Sequence, residues 1–213
     1  MAARDYRSTV RERHAQDTRR TILDAAAALF AERGYARTSV AAVAEAAGVA
    51  VNTVYTSVGG KPALVTALTE DGAQDELAVE AALAVPDLTD AREVLRLVAE
   101  RTGAVQHRRQ RIISIVMDNR TADQDVAAAA ELAISATRAR LDIAAKRLVE
   151  LGGLRAGLEH ARVAQILWFY FGFESWRTMW SFGWPLEEAA AWLAGQAESA
   201  LLQPTTSTSR PRT

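Results

Sequence analysis

The feature that most constrains this chain is a helical pattern that glycines interrupt at short intervals. Ile22, Leu23, Ala26, Leu29 and Phe30 form one apolar stripe between Asp17 and Gly34. Steps of three and four residues put such positions on one helix face. Gly34 reads as a C-terminal stop. Thr38 is expected to cap a second helix, whose inner face carries Val40, Val43 and Ala47 before Gly48. A third short helix is expected over about 50–56. Gly59-Gly60 then break the chain, and Pro62 suits the first turn of a fourth helix.

No stretch alternates as a strand does, and no repeat is visible. The expected class is all-α. Longer helices are expected over roughly 62–82, 89–104, 106–119, 123–151, 159–181 and 185–202, giving about nine in all. Val126, Ala130, Ala133, Thr137, Leu141, Ala144, Leu148 and Leu151 make one long one-sided stripe. Residues 203–213, QPTTSTSRPRT, read as a disordered tail.

Composition excludes several function classes. There are no cysteines, so disulfides, zinc–thiolate sites and cysteine nucleophiles are absent. The three histidines, His14, His107 and His160, stand in no metal or nucleophile motif. VGGKPAL lacks the spacing of a phosphate-binding loop and has no strand before it. Catalysis and cofactors are therefore not expected. Residues 1–20 are arginine-rich, without the apolar core of a signal peptide. The longest dense apolar run, Ile166 to Phe173, is about eight residues, where a membrane span needs ~20. The expectation is a soluble, cytoplasmic protein without a membrane partner.

Charge is uneven. Residues 1–66 hold nine Arg or Lys against six Asp or Glu, while residues 67–213 hold 16 against 20. A basic end on an acidic remainder fits a polyanionic partner for that end. Three short helices with a glycine turn between the second and third describe a helix-turn-helix. In that motif one helix crosses the sugar–phosphate backbone while the next enters the major groove. Val51, Val54 and Val58 give the third helix an inner side, with Val54 and Val58 set to anchor it on Leu23 and Val43. Asn52, Thr53 and Thr56 fill the gaps between them.

These residues carry a family resemblance. The segment TILDAAAALFAERGYARTSVAAVAEAAGVAVNTVYTSVGGKPALVTAL, residues 21–68, closely resembles the DNA-binding domain of TetR-family transcriptional regulators. The matching elements are Leu29-Phe30, Gly34-Tyr35, Thr38-Ser39-Val40, Ala47-Gly48-Val49, Thr53-Val54-Tyr55, and Lys61 before Leu64. The resemblance implies that the Tyr55 hydroxyl and the Lys61 ammonium meet phosphates. One of only two lysines then stands at a helix N-terminus, where two positive features converge on one anion. Thr38, Ser39, Thr53 and Thr56 join them as DNA-binding candidates. Val51 and Asn52 occupy the positions expected to face base edges. Asparagine can bond adenine N6 and N7 in pairs, worth ~1–3 kcal/mol of discrimination. Three positions depart from the family pattern: Ala50 cannot cap the third helix, Val58 replaces a common aromatic, and Ala41 has no hydrogen bond to offer a base.

Ten of the 14 aromatics, with all five tryptophans, fall in residues 168–192. A helix apolar nearly all round needs cover on more than one side. A partner copy is one such cover, which resembles the family's C-terminal dimerisation helices. Phe169, Phe173, Trp176, Trp180 and Trp192 are the interface candidates, with Gly172 expected to let another helix approach closely. A dimer also suits the DNA side, since two reading helices ~34–36 Å apart match an inverted repeat. The resemblance further implies an effector pocket, with candidate lining residues Val98, Thr102, Ile113, Met117, Thr137, Leu141, Trp168 and Phe171. Plain core packing is the competing reading for each.

The expected organisation is a flexible basic arm (1–16), a DNA-binding domain (17–66), an effector-binding and dimerisation domain (67–202) and a tail (203–213). The expected function is a repressor that binds a palindromic operator in double-stranded DNA as a homodimer, released by a small hydrophobic or aromatic effector. The alternatives are a DNA-binding dimer without small-molecule control and, more distantly, a helical enzyme.

Overall fold

The computed structural model describes residues 2–73, 75–121 and 123–204. Residues 205–213, most of the stretch expected as a tail, lie outside the described residues. Among the described residues there are ten α-helices and no extended strand. They are α1 (Ala2–Arg33), α2 (Val40–Ala46), α3 (Val51–Ser57), α4 (Lys61–Ala73), α5 (Glu76–Ala84), α6 (Ala91–Asn119), α7 (Gln124–Leu151), α8 (His160–Phe171), α9 (Phe173–Ser181) and α10 (Leu186–Leu201). A 3₁₀ turn, Val85–Asp87, follows α5.

The all-α reading holds, and several boundaries move. Residues 2–16, expected as a flexible arm, continue α1 as helical backbone. The helices expected over 89–104 and 106–119 are one, because nothing between them breaks α6. The helix expected over 159–181 is two. Its break is Gly172, where ψ swings to 174° and a Cβ would lie 2.4 Å from the Trp168 carbonyl oxygen. Gly172 therefore turns the chain against its own preceding turn, which corrects the expectation that it admits a second helix.

Backbone contacts divide the chain into two compact units that do not follow a linear cut at residue 66. The first takes the described residues through 73 together with 109–135. The second takes 75–108 and 136 onward. Helices α6 and α7 each contribute to both.

The second unit has a continuous core. Val163, Leu167 and Phe171 recur every four residues on the buried side of α8. Ala189, Ala190, Leu193, Ala194, Ala197 and Leu201 form the buried side of α10, and both belong to one cluster with Val94, Leu95, Leu141 and Leu148. Alanines on α10 let the backbones come close, while leucines fill the remaining space. The Trp176 ring lies fully buried against Gly103, whose absent Cβ would sit 2.5 Å from Trp176 Cη2. Trp180 stacks on Trp176 at 5.4 Å between ring centroids and meets the His107 ring edge-on at 5.3 Å.

This packing corrects part of the expected dimer surface. Trp176 and Phe173 are enclosed by their own chain, and Trp180 is half-buried against its neighbours. Phe169, 70 % exposed, and Trp192 stay outward, joined by Phe182, which the sequence reading omitted. One unit absorbs most of the aromatic run by itself.

Candidate nucleic-acid interface

The first unit builds its site on a small core. Ile22, Ala26, Leu29 and Phe30 of α1 are buried with Val43 and Ala44 of α2, Val54 of α3 and Leu64 of α4. Val54 has no exposed surface, so α3 is fastened through its middle. Burying such a side chain contributes ~1.5–3 kcal/mol.

The turn between α2 and α3 is fixed by hydrogen bonds. The Gly48 N–H donates to the Glu45 carbonyl at 3.1 Å, and the Val49 N–H donates to the Ala44 carbonyl at 3.0 Å. This is the paired closure that follows a left-handed residue after a helix. Gly48 supplies that residue, at φ +66°. Arg19 of α1 then donates to the Ser57 carbonyl at 2.8 Å, a cation on the C-terminal end of α3. Among the arginines of the N-terminal segment, Arg19 thus has a structural partner.

What α3 leaves outside is a polar and aliphatic face. Val51 is 42 % and Tyr55 54 % exposed, with Asn52 and Thr56 exposed beside them. Spacings of three and four residues put these four on one side. Thr53 is half-buried, and the Thr56 hydroxyl donates back to the Asn52 carbonyl at 3.0 Å. No side chain caps α3 at Ala50, as its methyl group dictates.

Two expectations about the preceding turn change. Thr38 is 2 % exposed, and its hydroxyl donates inward to the Gly34 carbonyl at 2.9 Å and the Leu29 carbonyl at 3.3 Å. It therefore neither caps α2 nor reaches a ligand. The cap is Ser39, whose exposed Oγ accepts from the Ala42 N–H at 3.1 Å.

Lys61 opens α4, as expected, but its ammonium is not free. Nζ donates to the Ala36 carbonyl at 3.2 Å and lies 4.2 Å above the centre of the Tyr35 ring. Desolvation holds its pKa below the ordinary lysine value, against the pull of Asp123. Tyr35 is buried, packs on Phe30 at 5.5 Å, and donates its hydroxyl to Asp123 Oδ2 at 3.1 Å. Burial first, and then the bond to Asp123, push the phenol up to about 12. Asp123 Oδ1 accepts from the N–H groups of Val126 and Asp125 at the start of α7. The Val126 bond is the largest cause of a carboxylate pKa below the usual range. Asp123 was missed from sequence, although an aspartate just ahead of a helix is a legible cap.

The expected pocket residues are divided between the two units. Ile113 and Met117 fall in the first unit; Val98, Thr102, Thr137, Leu141, Trp168 and Phe171 fall in the second. Val98, Leu141 and Phe171 are core residues of that unit. Leu141 and Trp168 also line a cleft of about 410 Å³ with Arg138, Asp142, Ala164 and Gln165. The Arg138 guanidinium lies 4.8 Å above the Trp168 ring, so a charge stands beside the aromatic part of that lining. Among the described residues no cluster suits a metal ion, and no helix is long and apolar enough to cross a membrane.

Residues 22–68 match the family profile described as bacterial regulatory proteins, tetR family. That segment is similar to the family's N-terminal DNA-binding domain. TetR-family regulators are DNA-binding transcription factors without enzymatic activity. No curated protein matches the sequence. Solved structures agree on the fold over most of the chain. NalD, the secondary repressor of the MexAB-OprM multidrug efflux pump in Pseudomonas aeruginosa, is 19 % identical with a TM-score of 0.73, covering 90 % of this chain and 99 % of its own. FadR from Bacillus subtilis, solved with stearoyl-CoA, is 19 % identical with a TM-score of 0.71, covering 84 % and 97 %. A TetR-family regulator from Mesorhizobium loti is 18 % identical with a TM-score of 0.70, covering 89 % and 98 %.

Proposed function

We propose that this chain is a TetR-family repressor that binds an inverted-repeat operator as a homodimer and is released by a small-molecule effector. The observation that carries the DNA side is the outward face of α3: Val51, Asn52, Tyr55 and Thr56 lie together, and the Lys61 ammonium stands at the start of the next helix. In this reading Asn52 and Val51 meet base edges, and Tyr55, Thr56, Ser39 and Lys61 meet phosphates. Thr53 is a secondary contact. Base contacts then specify, and phosphate contacts set the register.

Pairing is supported by Phe169, Phe182 and Trp192, large aromatics left exposed in the second unit. Aromatics of this kind are enriched at protein interfaces. For the effector, the cleft on α7 and α8 combines the Trp168 ring with the Arg138 guanidinium, which suits a planar or apolar body carrying a polar end. A protein of related fold supports the same ligand class, since FadR was solved with stearoyl-CoA. A second reading, a dimer without small-molecule control, is favoured by the burial of Val98, Leu141 and Phe171 in the core of their unit.

An effector acts only through unequal affinity for two states, and the coupling is reciprocal. The test is a duplex enriched from a random-sequence pool, titrated with protein in the presence and absence of candidate effectors. An inverted repeat in the enriched sequences, bound by a dimer and released by one compound class, supports the reading. A monomer in gel filtration at micromolar concentration contradicts the dimer, and enrichment of no duplex contradicts the DNA role.

A further inference from the structure

The Lys61 ammonium stands at the end of a chain of three contacts that begins far away in the sequence. Asp123 Oδ1 accepts from the Asp125 N–H at 2.9 Å and the Val126 N–H at 3.2 Å, which ties the carboxylate to the start of α7. Its Oδ2 accepts the Tyr35 hydroxyl at 3.1 Å. The Tyr35 ring carries the Lys61 ammonium 4.2 Å from its centre, and the Ala36 carbonyl beside the ring takes one of its protons at 3.2 Å. All of these groups belong to one compact unit.

We propose that Asp123 is a positioning residue for DNA binding: through the Tyr35 phenol it holds the ring that seats Lys61 for a backbone phosphate. The proposal rests on the reading of Lys61 as a phosphate contact. A free lysine side chain populates many rotamers, and ordering it opposes binding. Here the order exists before the phosphate arrives. An ammonium has three N–H donors, and the Ala36 carbonyl uses one, which leaves donors for an incoming oxyanion. The ring lies on one side of the ammonium, so the approach is restricted to the other. The Asp123 charge also acts on Lys61 through space, since it draws the Lys61 pKa up against desolvation.

The carboxylate also links α7 to the reading domain. A rearrangement at the start of α7 that withdrew Asp123 would release the phenol and loosen the seat of Lys61, leaving α3 untouched. Phosphate affinity would fall without loss of base discrimination.

Three variants separate this from a merely structural bond. Tyr35→Phe keeps the ring under Lys61 and the cap on α7, and removes only the hydroxyl link. Asp123→Asn keeps an oxygen for the cap and loses the charge. Lys61→Ala removes the group being positioned. Affinity is read by fluorescence anisotropy on a labelled 30-base-pair duplex enriched by the wild-type protein, well below the melting midpoint of each variant. Tyr35→Phe and Asp123→Asn should each weaken binding about fivefold, the factor one net hydrogen bond of ordering is worth. The double variant should be no weaker than either single. In the Lys61→Ala background the Tyr35→Phe effect should vanish. Wild-type affinity in Tyr35→Phe, or the same fivefold loss with and without Lys61, overturns the proposal, and Tyr35→Phe carries the test if Asp123→Asn fails to fold. If the wild-type protein enriches no duplex, the DNA reading and this proposal fall together, whereas enrichment with unaffected variants sinks only the proposal.

Discussion

Gly48 offers a substitution whose sign, and not only its size, follows from the backbone. A Cβ at residue 48 would meet no atom within 4 Å, so Gly48→Ala introduces no clash. Its effect comes from φ +66° alone. An L-residue in that region costs roughly 1–2 kcal/mol. Against this, alanine restricts the unfolded chain and returns about 0.4–1 kcal/mol. The difference at the middle of both ranges is a net loss of roughly 0.8 kcal/mol, at most about 1.6, and each kcal/mol lowers the midpoint by roughly 2–4 °C in a cooperative unit of this length. Gly195 is the internal control. It is exposed on α10, its Cβ would also meet nothing, and its φ is not in the left-handed region. Gly195→Ala should therefore stabilise by about 0.5–1 kcal/mol. Thermal unfolding followed at 222 nm measures both. Gly48→Asn, whose side chain tolerates the left-handed region, should fall between wild type and Gly48→Ala. If Gly48→Ala melts at or above the wild-type temperature, the left-handed turn between α2 and α3 is wrong, and the presentation of α3 with it.

Gly103→Ala should be severe, because its Cβ would lie 2.5 Å from Trp176 Cη2 and 2.8 Å from Leu186 Cδ1. Overpacking of this kind costs about 1–3 kcal/mol in chemical denaturation. The Tyr35 phenol should ionise well above the ordinary 10.0 in an absorbance titration at 295 nm. Its folded pKa of about 12 exceeds the ordinary 10.0, so its stabilisation is complete below pH 10 and is lost as pH rises through 12. Asp123 has the opposite sign: its pKa is depressed, so its contribution is present above the usual carboxylate range and lost on acidification, a loss Asp123→Asn should remove. Phe169→Glu with Trp192→Glu should convert a dimer to monomer in light scattering, and an unchanged mass would remove both residues from the interface.

Much of the fold is legible because helical periodicity and glycine stops are local signals. The stripe of Ile22, Ala26, Leu29 and Phe30 is buried, and Gly34 and Gly48 end their helices. The outward face of α3 is legible for the same reason, since Val54 fixes which side is in. The errors have physical causes. Thr38 and Ser39 are adjacent hydroxyls with equal capping chemistry, and only the path of the backbone decides that Ser39 caps while Thr38 turns inward. Trp176 looks like interface by composition, but Gly103 leaves the space that buries it, 73 residues away in sequence. Asp123 could be read as a helix cap, yet its bond to Tyr35 spans 88 residues and has no local signature.

The central claim is that the outward face of α3 reads bases in duplex DNA. Its most direct measurement is the affinity of Asn52→Ala for the enriched duplex and for a scrambled duplex of the same length at one salt concentration. Removing a base contact should weaken the first by roughly 5- to 150-fold, the range of ~1–3 kcal/mol, and leave the second unchanged. Equal weakening on both duplexes, or none on either, would contradict the claim.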